Sequence, residues 1–197
     1  VQTTIFEREE KLGGVPRYVI PAFRISDEAL DKDVALMERL GVEVKCGAPA
    51  PSVAELKKMG YTHILLATGA WQAGELGIPG NVRGVIAWMK EMKQQVKPCL
   101  EGHVVVVGAG NTAMDAARVA KRMGAASSTI VYRRTKKEMP ADEHELKLAI
   151  DEGVNLVELA APVEQKDGKL VCNQMKLGEP DASGRRSPVA TGEPFEI

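Results

Sequence analysis

Leu30, Val34, Met37 and Leu40 recur every three or four positions, the spacing of one helical face, and Gly41 stops the run. Ser26 supplies an N-cap for that helix, and Asp27 and Glu28 suit its positive end. A strand over Thr3–Glu7 and a turn at Leu12-Gly13-Gly14 come before it, and a strand over Val42–Lys45 follows. Ser52 and Glu55 form a capping box ahead of a short helix that stops at Gly60. His63–Ala67 is an unbroken apolar run ending in Thr68-Gly69, the pattern of a buried parallel strand. Gly74–Gly84 predicts a connector, and Val85–Val96 a mildly amphipathic helix ended by Pro98.

The next block is the most regular. It reads as strand His103–Val107, helix Asn111–Met123, strand Thr129–Tyr132, helix Asp142–Glu152 and strand Val154–Glu158, with Asp142 and Glu145 in a capping-box pattern. Strand–helix–strand–helix–strand predicts a parallel sheet and a mononucleotide-binding half. Beyond Pro162, Lys166-Asp167-Gly168-Lys169 signals a hairpin turn. Gly178–Gly192 reads as a loop or long hairpin tip, and Phe195–Ile197 as a strand cut short. The expected fold is α/β. A Rossmann-like dinucleotide-binding domain with a parallel sheet and a β-hairpin extension fills 101–197, truncated at its C-terminus. A partial nucleotide-binding domain and connector fill 1–100.

Of 197 residues, 44% are hydrophobic and 27% charged, with a net charge of −1, so no global field favours nucleic acid or an anionic membrane. No apolar run approaches the roughly 20 residues that cross a bilayer. Val1–Phe6 reads as a strand and not as a secretory leader, and no initiator Met is present; a piece of a longer cytoplasmic protein is expected. Cys46, Cys99 and Cys172 lie far apart without a CxxC pair, so reduced thiols are expected and no zinc or iron–sulfur clip.

Chemistry concentrates in Val107-Gly108-Ala109-Gly110-Asn111-Thr112-Ala113. Gly108 permits a tight strand-to-helix turn, Gly110 lets backbone approach a pyrophosphate, and Ala113 stands where a third glycine is common. The helix N-terminus beyond them suits the phosphates. The second strand of the unit then ends in Tyr132-Arg133-Arg134, with Lys136 and Lys137 beyond. An acid there would bind the ribose 2′-hydroxyl of NAD, whereas arginines can clamp a 2′-phosphate, which predicts NADPH. Thr4-Ile5-Phe6-Glu7-Arg8 echoes Thr129–Arg134 but ends in an acid. On its own, Glu7 reads as an ordinary surface acid. His63 and His103 open apolar strands and read as structural; His144, among Asp142, Glu143 and Glu145, reads as a solvated helix start. A flavin-free NADP-binding or sensing module remains the alternative reading.

These motifs carry a family resemblance. Phe6-Glu7-Arg8 with Leu12-Gly13-Gly14, Arg17-Tyr18 with Ile20-Pro21, Leu66–Trp71, Gly108–Arg118, and Val131–Arg134 with Glu138–Ala141 resemble the small (beta) subunit of bacterial glutamate synthase and its relatives. That group lies within the pyridine-nucleotide disulfide reductase-like flavoproteins. Leu177–Asp181 and Gly184–Val189 resemble the branch named for a selenate reductase subunit. The resemblance implies two dinucleotide domains. It implies FAD in one, with Glu7 on the adenosine ribose, Gly13 and Gly14 by the phosphates, and Thr68 and Gly69 at the strand crossing. It implies NADPH in the other, at Gly108, Ala109, Gly110, Asn111, Thr112, Arg133 and Arg134. It further implies hydride transfer from NADPH to FAD and electron flow to an iron–sulfur domain or subunit. The family's first FAD glycine loop, closing flavin motif and cluster cysteines have no counterpart here, so this chain alone is expected to be inactive and free of FAD.

Overall fold

The computed structural model describes residues 2–72, 74–180, 182, 184 and 186–197; Val1 and the family-like positions Asp181 and Arg185 lie outside the described residues. The chain divides into two compact units, Val1–Gln72 and Ala73–Ile197.

In the first unit, β1 (Thr4–Phe6) pairs in parallel with β2 (Glu43–Lys45). Between them lie α1 (Gly14–Tyr18) and α2 (Asp27–Arg39). Ser26 caps α2 by accepting the Ala29 N–H at 3.2 Å. α3 (Val53–Lys58) opens with the full Ser52–Glu55 capping box. Phe6 meets Tyr61 edge-on, with ring centroids 5.9 Å apart. The expectation for His63–Ala67 is overturned: the segment forms no strand, and Leu65 and Leu66 are 89% and 72% exposed. A buried parallel strand needs neighbours on its edge and cover on its faces. Among the described residues β1 and β2 form a two-stranded sheet that does not include this run.

The second unit begins with the connector, whose end is docked. Gln165 donates its N–H to the Pro79 carbonyl (2.9 Å), and its side-chain oxygen accepts the Asn81 N–H (2.9 Å). Gly80, at φ 112°, lies so close that a Cβ would sit 2.3 Å from the Gln165 carbonyl oxygen. α4 (Val85–Lys93) buries Met89 and Met92 and belongs with this unit because it packs on α5.

A parallel sheet follows, in the order β3 (His103–Val107), β4 (Ser127–Val131), β5 (Val154–Val157), with α5 (Asn111–Arg122) and α6 (Glu143–Asp151) as crossovers. Strand alternation sends Val106, Ile130 and Leu156 to the helical face, against Ala113, Met114 and Ala117. Val105, Val131 and Val157 go to the other face, against an antiparallel sheet of β6 (Ala160–Lys166), β7 (Lys169–Pro180) and β8 (Arg186–Glu196). Met114 and Ile130 are fully buried, and each contributes about 1.5–3 kcal/mol. Ala116, Ala117 and Ala120 bring α5 close enough for the buried Ser128 hydroxyl to donate to the Ala117 carbonyl at 2.9 Å.

The turn Asp167-Gly168 takes φ 50° and 78°, the mirror-image turn that fits the strand twist. Gly178–Gly192 is hairpin: β7 and β8 pair at Lys176↔Val189 and Leu177↔Pro188. Pro188 is tolerated because it lies on β8, an edge strand, and Pro180 because it ends β7. The pattern Asp142/Glu145 does not close as a capping box. Asp142 accepts the His144 N–H (2.8 Å), while the Glu145 carboxylate lies 3.7 Å from the buried Arg118.

Candidate dinucleotide site

The carboxyl end of β3 runs directly into the glycine turn. The Gly108 N–H still donates to the Val131 carbonyl (3.0 Å), so the sheet ladder extends one residue beyond the strand. Gly108 then turns at φ 126°, which excludes a Cβ on backbone grounds. Gly110 differs: its φ of −89° suits any residue, and a Cβ there would meet no atom of the described residues within 4 Å beyond its chain neighbours. The space over Gly110 is open.

α5 starts at Gly110 without a side-chain cap, although α2, α3 and α6 all have one. Among the described residues no acceptor takes up the N–H groups of Asn111 and Thr112. The first turn also lacks acids, so its positive end is uncompensated. The loop before α6 is stitched to this turn. Ala141 donates its N–H to the Ala109 carbonyl (3.1 Å), and Asp142 donates its N–H to the Asn111 side-chain oxygen (3.3 Å). Gly108, Ala109, Gly110, Asn111 and Thr112 thus stand together at the carboxyl edge of the parallel sheet, where ligands bind in open α/β folds.

β4 ends at Val131, and the two arginines that follow Tyr132 separate. Arg133 is exposed. Arg134 is 7% exposed, and its Nε is buried without a hydrogen-bond partner. Beyond them a short 3₁₀ turn, Lys136–Glu138, is closed by a Thr135–Glu138 capping box that sequence reading missed. The Thr135 hydroxyl, with smaller help from its backbone, holds the Glu138 carboxyl below the usual range. Also missed was the cluster under α5. There Arg118 and Arg122 both donate to Glu152, which is lowered to about 2, first by Arg122 and, after a counteracting burial effect, by Arg118.

In the first unit, the turn Leu12-Gly13-Gly14 leads into α1. Gly13 has φ 123°, and a Cβ there would lie 2.9 Å from the Arg17 Cβ. Arg17 is buried across this turn, donating to the Leu12 carbonyl and, at 2.7 Å, to Asp31. Gly14 starts α1 at φ 49°. One carboxylate oxygen of Glu7 accepts the Glu9 N–H at 3.0 Å. The neighbouring Arg8 stacks over Trp71, 5.2 Å from the ring centroid, and Trp71 donates to the Thr68 carbonyl at 3.0 Å. Glu7–Arg8 and Thr68–Gly69 are therefore brought together, with Gly69 at φ 75°. Among the described residues no group of histidines, cysteines and acids could hold a metal, and no helix is long and apolar enough to cross a membrane. Cys99 is exposed, Cys46 half-buried and Cys172 buried; burial pushes the Cys172 thiol up.

The chain is similar to known proteins. The chain is 41% identical, over 96% of its length, to the Escherichia coli K12 oxidoreductase YgfK. It is 32% identical, over 98%, to a glutamate synthase [NADPH] small chain of Azospirillum brasilense. It spans 19% of the first relative and 45% of the second, less than half of either. The fold matches Mycobacterium tuberculosis FprA, solved in complex with NADPH, with a TM-score of 0.82 over the whole chain and 61% of FprA, at 18% identity. The sequence profile of pyridine nucleotide-disulphide oxidoreductases matches residues 23–182. A glycine turn at the sheet edge, an uncapped helix beyond it and that match over most of the chain place this protein in the pyridine nucleotide-disulphide oxidoreductase family, among relatives of the glutamate synthase small chain.

Proposed function

We propose that the second unit binds NADPH and that the protein is the NADPH-binding part of a cytoplasmic flavoprotein oxidoreductase. The observation that carries this reading is Arg134. A buried guanidinium with an orphaned Nε at the end of the second strand is costly unless an anion joins it. Beside it, Arg133 has no hydrogen bond or ion pair among the described residues and supplies a second, exposed cation. A 2′-phosphate fits both. The pyrophosphate fits the uncapped start of α5, where Asn111 and Thr112 offer N–H groups and Gly110 leaves room.

NADPH held there would supply a hydride, and FAD would supply the step from electron pairs to single electrons for an iron–sulfur acceptor. The first unit would contribute Glu7 to the adenosine ribose of FAD, Gly13 and Gly14 near its phosphates, and Thr68 and Gly69 along the strand crossing. One oxygen of Glu7 has no protein partner among the described residues, which leaves it for a hydroxyl.

The test is calorimetric titration with NADPH and NADH. Charge-assisted contacts of this kind contribute about 1.5–3 kcal/mol, or roughly one to two decades of affinity. NADPH is expected to bind at least about tenfold tighter than NADH, less so at high salt. Arg133→Ala with Arg134→Ala is expected to erase most of that ratio and leave NADH unchanged. Equal affinities in the unmutated protein would refute the assignment.

A further inference from the structure

Backbone strain and hydrogen bonding converge at a point the cofactor reading leaves unused. Leu159 stands at φ 54°, in the left-handed region that side chains other than glycine rarely adopt. Three hydrogen bonds hold it there. Its N–H donates to the Arg134 carbonyl (3.0 Å); its carbonyl accepts the Met175 N–H (2.7 Å) and the Gln174 side-chain amide (3.1 Å). The residue before it, Glu158, follows β5, and its carboxylate accepts the N–H of Lys136. The same loop is closed from within. Thr135 donates its N–H (3.1 Å) and its hydroxyl (2.5 Å) to Glu138, and the Tyr132 hydroxyl donates to the Glu138 carbonyl (2.8 Å).

The backbone donors of Thr135 and Lys136 are therefore taken up by acids. A phosphate here then relies the more on the cationic side chains of Arg133 and Arg134, and a long side chain grips well only from a fixed backbone. An acid beside an anion site would otherwise be a handicap, since it repels the ligand. Its presence makes sense if it holds the loop.

We propose that Glu158 is a positioning residue for cofactor specificity: its carboxylate, set by left-handed Leu159, fixes the Arg133–Lys137 loop in the conformation that receives a 2′-phosphate. This rests on the NADPH reading above. The effect of substitution separates positioning from charge. Glutamine keeps an acceptor for the Lys136 N–H and removes the charge; alanine removes both.

The experiment titrates the full chain, and its Glu158→Ala and Glu158→Gln variants, with 2′,5′-ADP, 5′-AMP, NADPH and NADH. Glu158→Ala is expected to weaken 2′,5′-ADP and NADPH by roughly three- to tenfold, while 5′-AMP and NADH stay within about twofold. Glu158→Gln is expected to bind the phosphorylated ligands as tightly as the unmutated protein or tighter. Equal losses for all four ligands in Glu158→Ala would reveal a general structural role and overturn the proposal. Tighter 2′,5′-ADP binding by both variants would leave only repulsion and overturn it as well. If Glu158→Ala does not fold, Lys136→Pro against Lys136→Ala tests the same bond, because proline removes only the N–H at a helix start it tolerates; equal specificity in that pair would also overturn it. An unmutated protein that does not distinguish 2′,5′-ADP from 5′-AMP would bring down the NADPH reading itself, a separate failure.

Discussion

The two units each turn on a glycine pair after a parallel strand, and the two turns are filled differently. In the first unit, Gly13 is explained from inside: Arg17 occupies the space a Cβ would need and ties the Leu12 carbonyl to Asp31 on α2. In the second unit, Gly108 is explained by its φ of 126°, but at Gly110 neither the backbone angle nor a contact among the described residues calls for glycine. Its backbone suits any residue and its surroundings are open. On the NADPH reading, the open space over Gly110 is room for the pyrophosphate. On that reading, the difference separates a turn that holds itself together from a turn open to a ligand.

Paired substitutions break or sharpen this contrast. Gly110→Val should cost only about 1 kcal/mol through a poorer N-cap for α5, yet weaken NADPH by roughly a hundredfold, because the added side chain occupies the place proposed for the pyrophosphate. Gly13→Ala should do the reverse: a loss of about 2 kcal/mol in stability from strain and contact with Arg17, with NADPH binding intact. Denaturant melts and nucleotide titrations on both variants check the pair. Loss of stability in Gly110→Val, with binding kept, would dissolve the distinction.

A smaller effect distinguishes the units by pH. Glu152, on the second unit, is lowered to about 2, chiefly by its hydrogen bond to Arg122. Because the folded value lies below the unfolded one, this stabilisation is fully present above about pH 4.5 and fades as the pH falls toward 2. After allowance for solvent around the half-exposed Arg122, it amounts to about 1–2 kcal/mol. Trp71 reports on the first unit and Trp88 on the second, so single-tryptophan variants resolve them. Between pH 5 and 2 the Trp88 signal should lose more stability than it does in Glu152→Gln. Parallel acid curves for the two proteins would remove Glu152 from the account.

Much of this was legible in the chain because it is local. The run from His103 to Thr112 carries its strand, turn and helix signals within ten residues, and Ser26, Ser52 and Asp167-Gly168 each announce a cap or turn through backbone chemistry. His63–Ala67 misled because apolarity signals burial only when partners exist, and partners are a tertiary fact. The burial of Arg134, the hold of Glu158 on Lys136 and the sharing of Glu152 by two arginines depend on which strand ends beside which. Such pairings, 22 to 34 residues apart, leave no periodic trace.

The three thiols give the molecule an internal depth gauge. Cys172 lies in the seam between the parallel and antiparallel sheets, packed with Val131, Ala160 and Leu170. Burial disfavours the thiolate that any electrophile needs. Exposed Cys99 is open to alkylation in the folded protein, whereas Cys172 can react only when the seam parts. Its labelling rate therefore converts a silent packing contact into a clock for the breathing of the two sheets. Because β5 and β6 meet at Leu159, a ligand that steadies the neighbouring basic loop should slow that clock.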